Sequence, residues 1–67
     1  MIKFYNVSFD HQIEPQDFGS YSTLEKAEKI LEDMDIDISK PRVYSRGTIR
    51  IYGSIQGDYL IEEKIIH

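Results

Sequence analysis

A chain of 67 residues, 40% hydrophobic and 30% charged, has the composition of an ordinary globular protein with room for one core, which predicts a single domain over residues 1–67. It contains no cysteine, so disulfides and thiolate-bound zinc are excluded and stability must come from packing or self-association. The net charge of −4 and the lack of any run of roughly 20 apolar residues argue against a strongly basic nucleic-acid domain and against a membrane span.

Ile2 to Phe9 mixes apolar, aromatic and β-branched residues and is expected to be a strand, with Lys3, Tyr5, Val7 and Phe9 on one face and Ile2 and Phe4 on the other. Asp10 to Gly19 holds Pro15 and Gly19 and is expected to be a loop. Ser22-Thr23-Leu24-Glu25 fits a capping box, in which the serine hydroxyl takes a first-turn amide and the glutamate reaches back to the cap. Leu24, Ala27, Leu31 and Met34 follow at steps of three and four, which predicts an amphipathic helix over about 23–34.

Pro41 ends any helical pattern, and strands are expected at Arg42 to Ser45, Thr48 to Tyr52 and Tyr59 to Ile66, with turns at Arg46-Gly47 and Gln56-Gly57-Asp58. Alternation assigns Val43, Ile49 and Ile51 to the core, leaving Arg42 and Tyr44, and Thr48, Arg50 and Tyr52, on an uncovered face. The order β-α-β-β-β predicts an α+β domain with one helix laid on an antiparallel or mixed sheet.

Charge is unevenly distributed along the chain. Nine acids stand between Asp10 and Asp37 against Lys26 and Lys29, a local charge of −7, whereas Lys40, Arg42, Arg46 and Arg50 follow with no acid among them. The acids Glu25, Glu28, Glu32, Asp33, Asp35 and Asp37 form one candidate binding surface, aimed at a basic protein whose groove they would fill as a nucleic-acid backbone does. Arg42, Tyr44, Arg50 and Tyr52 form the alternative, a basic and aromatic sheet face able to stack bases and meet phosphates.

The segment Gly19-Ser20-Tyr21-Ser22-Thr23-Leu24-Glu25-Lys26-Ala27-Glu28, with a late strand such as Tyr59-Leu60-Ile61-Glu62-Glu63, resembles small uncharacterised domains common in phage and bacterial genomes. These place a Gly-x-aromatic-Ser-Ser/Thr helix start between a first and a late strand. The resemblance covers under half the chain, implies a phage or mobile-element origin, and brings no catalytic residue with it.

Catalytic chemistry finds little to use. The histidines are His11, in the expected loop, and His67 at the last position, neither beside a nucleophile, and Glu62 and Glu63 fall on opposite strand faces. Asp33-Met34-Asp35-Ile36-Asp37 has the alternating oxygens of a calcium loop, but Ile38 and Tyr44 occupy the positions that need glycine and glutamate. No glycine-rich phosphate loop precedes a helix. The expectation is therefore a cytoplasmic, non-enzymatic protein-binding module with no cofactor and no metal; a homodimer burying the same sheet face is a further expectation.

Overall fold

The computed structural model describes residues 2–10 and 14–66. Alternating apolar and polar side chains from Ile2 to Asp10 form strand β1, and the late run Asp58–Ile66 forms β5. The two pair antiparallel over their whole length, from Ile2 opposite Ile66 to Asp10 opposite Asp58. Around this central pair the sheet adds β2 (Gln16–Tyr21) on one side and β4 (Ile49–Gly53) then β3 (Arg42–Tyr44) on the other, in the order β2-β1-β5-β4-β3. All neighbours are antiparallel.

One helix, α1 (Leu24–Asp33), lies on one face. The architecture is thus α+β with the chain order β-β-α-β-β-β, and the expected order β-α-β-β-β lacked β2. The residues that suggest a loop there are the marks of a bulged edge strand. Val7 faces Gly19 while Ser8 faces Asp17, so Phe18 is an extra residue. Gly19 supplies the positive φ of +97°, and the Asp17 carboxylate accepts its N–H at 2.8 Å. Pro15 precedes an edge strand, where its missing donor leaves no interior ladder bond unmade. The bulge allows Phe18 to pack toward the core, 6.1 Å from the Tyr59 ring.

The helix begins one residue later than the capping-box pattern implies. Thr23 is the cap, its hydroxyl accepting from Lys26 N at 3.2 Å, while Ser22 Oγ meets Lys26 Nζ at 3.2 Å instead. With Thr23 in that place the third helical residue is Lys26, which has no acceptor to reach back with. At the other end Asp35 adopts φ +62°, its N–H bonds Glu32 O, and Ile36 N–H bonds Leu31 O, both at 3.0 Å. This is a Schellman closure, with Ile36 packed on the core as the apolar residue that such closures carry.

The core between helix and sheet consists of Val7, Ala27, Leu31, Tyr52, Tyr59 and Ile61, with Phe9 stacked on Tyr59 at 4.6 Å. Leu31 is fully enclosed. Leu31→Asp is expected to abolish the native circular dichroism spectrum, since an unpaired buried carboxylate costs more than a domain of this size has to spare. Thr23→Ala should lower stability by about 1 kcal/mol in urea denaturation and Ser22→Ala by distinctly less; equal losses would contradict the cap assignment.

Candidate functional site

The acids expected to form a surface are placed unequally. Glu25, Glu32, Asp33, Asp35 and Asp37 are exposed, but Glu28 is half-buried. Tyr52, on β4 beneath the helix, is fully enclosed and donates its hydroxyl to Glu28 Oε2 at 3.0 Å. Burial, reinforced by that bond and by the Glu28 charge, pushes the Tyr52 phenol above its ordinary range. Glu28 therefore belongs to the packing of the domain rather than to a free acidic face.

Of the others, Glu32, Asp33, Asp35 and Asp37 stand at or just beyond the C-terminal end of α1, whose last turn holds no basic residue, whereas Glu25 stands in the first turn. The C-terminal end of a helix, the negative end of its dipole, is where added negative charge is least favourable. Asp35 adds a backbone cost, since φ +62° suits glycine better than any residue with a Cβ. Asp37 is fixed locally: its carboxylate accepts from Ser39 N at 2.9 Å and Ser39 Oγ at 2.6 Å, which hold it below the usual carboxylate range.

Beside these acids lies a small hollow of about 220 Å³ between the helix exit and the β4–β5 turn, lined by Met34, Asp35, Ile36, Ser54, Ile55 and Gln56. Ile55 is fully exposed. The turn that carries it is tied by Ser54 N–H to Gly57 O at 2.9 Å, by Gly57 N–H to Ser54 O at 3.3 Å and by Ser54 Oγ to Gly57 O at 2.7 Å. Gly57 is at φ +145° with the Phe9 ring 3.0 Å from where a Cβ would stand, so the turn is seated against the core and Ile55 is held outward. One local feature marks this residue in the sequence: an isoleucine between Gly53 and Gly57, in a stretch too short to fold it inward.

The alternative set is divided. Arg42 pairs with Ile51, Tyr44 with Ile49 and Val43 with Arg50, so Arg42 and Tyr44 share the open sheet face with Ile49 and Ile51. Arg50 and Tyr52 lie on the helix side, with Tyr52 in the core. The expected uncovered face of interleaved Arg42, Tyr44, Arg50 and Tyr52 is not formed, and Ile49 and Ile51 are not inward. The reason is the pairing of Tyr52 with buried Tyr59, which commits the even-numbered residues of β4 to the helix side. Thr48, expected in the strand, caps the preceding 3-10 turn, its hydroxyl donating to Ser45 O at 2.8 Å.

Glu62 and Glu63 fall on opposite faces. Glu62 meets Lys64 at 3.1 Å on the open side, whereas Glu63 on the helix side takes Lys3 Nζ and the Tyr5 hydroxyl, each at 3.2 Å. Both histidines lie outside the described residues. Among the described residues no three His, Cys, Asp or Glu side chains are gathered as metal ligands, and no buried side-chain polar atom lacks a partner. No helix among them is long and apolar enough to cross a membrane. A shallow hollow of about 450 Å³ on the open face, lined in part by Asn6, Ser8, Asp17, Leu60 and Glu62, brings together amide, hydroxyl and carboxylate groups.

No protein-family model, curated protein or solved structure matches this chain.

The buried phenol gives a test of the Tyr52–Glu28 contact. A raised folded-state value means that the stabilisation is complete below the ordinary tyrosine value of 10.0 and is lost as pH climbs above it, because the unfolded chain releases the proton first. Tyr52→Phe should cost about 1–2 kcal/mol near neutral pH. The gap between wild type and variant should then narrow between about pH 8 and about pH 11 in urea denaturation, the remaining tyrosines cancelling in the comparison. A gap that does not change with pH would contradict it.

Proposed function

We propose that this chain is a non-enzymatic protein-binding module, of phage or other mobile-element origin, that inhibits a host or defence protein by occupying a basic surface on it. The contact surface is the acidic end of α1, with Glu32, Asp33, Asp35 and Asp37 next to the hollow beside Ile55, which Asp35 lines, and Glu25 extending it along the helix.

The observation that carries this reading is the placement of the acids. Charge that serves solubility alone can stand anywhere on an exposed surface, and the first turn of a helix favours it. Here it accumulates at the opposite end, against the helix dipole, with Asp35 in a left-handed conformation as well. A domain of 67 residues has little stability to set against such costs. The adjoining Met34, Ile36 and Ile55 give the acids an apolar centre, the arrangement of a protein interface with a polar rim. The nucleic-acid reading draws less support, since Arg42 and Arg50 stand on opposite sides of the sheet and Arg42 is already paired with Asp58 at 3.2 Å.

Cross-linking capture at low salt, followed by binding measurements on the purified partner, tests the proposal. Glu32→Lys with Asp33→Lys changes the charge over Asp10 to Asp37 from −7 to −3 and replaces acids with the sign that a helix end prefers. Stability should hold or rise while affinity falls at least about tenfold, mostly through slower association at low salt. Asp35→Gly should raise stability by about 0.5–1 kcal/mol and weaken binding, the two effects in opposite directions. A partner indifferent to all three changes would overturn the proposal. Salt-sensitive retardation of an oligonucleotide, lost in Arg42→Ala with Arg50→Ala, would replace it with nucleic-acid binding.

A further inference from the structure

The helix covers one side of the sheet, and the other side carries Phe4, Tyr44, Ile49, Ile51, Leu60 and Ile66 among its outward residues. Tyr44 and Ile66 are about half exposed, at 48% and 54%. We infer that this open face is the contact surface of a homodimer, its occupant being a second copy of the chain.

Area supports a second copy. Strands spaced about 4.8 Å apart and rising about 3.4 Å per residue give this five-stranded sheet a face on the order of 500 Å² in projection. Two such faces together remove about 1,000 Å², the lower bound for a specific interface and a size suited to a concentration-dependent dimer.

Charge decides which surfaces two copies can share. On the open face Lys64 pairs with Glu62 at 3.1 Å and Arg42 with Asp58 at 3.2 Å, so these four charges cancel within each copy, while Asp10 and Asp17 add exposed carboxylates at the β1–β2 side of the face. The acids of α1 and its exit stand on the other side of the sheet. Joining open face to open face puts these acidic surfaces outermost and farthest apart, whereas any contact through them would set like charges together. The dimer goes beyond the proposed acidic contact and leaves that surface free on both sides.

Sedimentation equilibrium of the full chain from low to high micromolar concentration should show the mass rising from 7.9 kDa toward twice that value. Leu60→Lys places a charge from each copy into a two-fold contact and should weaken association at least about a hundredfold with an unchanged circular dichroism spectrum. Should Leu60→Lys fail to fold, Tyr44→Arg, at an already exposed edge position, should give the same loss of dimer. Ile55→Lys, on the turn beside the acidic hollow, should leave the dimer intact. A monomer throughout the concentration range would overturn the inference, including the case in which an unrelated protein takes the face. So would a dimer that resists Leu60→Lys and Tyr44→Arg, or one that only Ile55→Lys dissolves.

Discussion

A phenol hydroxyl cannot be enclosed without an acceptor, and the burial of Tyr52 is the constraint on which the arrangement of this domain depends. Its ring fills the space under the helix while its oxygen donates to Glu28. Once Tyr52 points inward, strand geometry turns Ile49 and Ile51 outward, and pairing passes that choice to both neighbours: Val43 follows Arg50 on one side, Tyr59 and Ile61 follow on the other. The same bond draws a carboxylate of the helix off the solvent face. One residue thereby decides which side of the sheet is core, which side is open, and which acids remain available to a partner.

This is also where the sequence is ambiguous. In Thr48 to Tyr52 two isoleucines alternate with an arginine and a tyrosine, and local hydrophobicity favours the isoleucines as the buried set. The deciding fact, a helix able to offer an acceptor to the tyrosine, lies 24 residues away and has no local signature. By contrast β1, α1 and β5 are legible, since each is long enough for its period to show. β2 is hidden because a bulged edge strand uses the glycine and the nearby proline that also make loops, and the cap is ambiguous because Ser22 and Thr23 are both able to serve. The candidate surface follows the same rule. The exposed acids are visible as a run of charge, whereas Glu28 and the hollow at Ile55 are products of segments that meet only on folding.

The sheet divides the molecule electrostatically as well as sterically. On its open side one ion pair closes along β5 and another reaches past β4 from β3 to β5. On the helix side exposed acids stand at the end of α1 and its exit, with Asp35 at the edge of the hollow beside Ile55. Thin domains of this kind can present two chemically different surfaces without a second core, because every strand residue is committed to one side or the other.

The pairing of β1 with β5 bears on how the fold is reached. The two strands at the centre of the sheet are the ones farthest apart along the chain, and Ile2 has Ile66 as its partner. The hairpin of β1 with β2 and the meander of β3, β4 and β5 are each local, but they become one sheet only by closing a loop that spans nearly all the described residues. Such topologies fold on the order of milliseconds to seconds rather than microseconds. During synthesis the first strand must wait with a free edge until the last strand has left the ribosome, so the nascent chain is open to pairing with other chains for as long as its translation lasts.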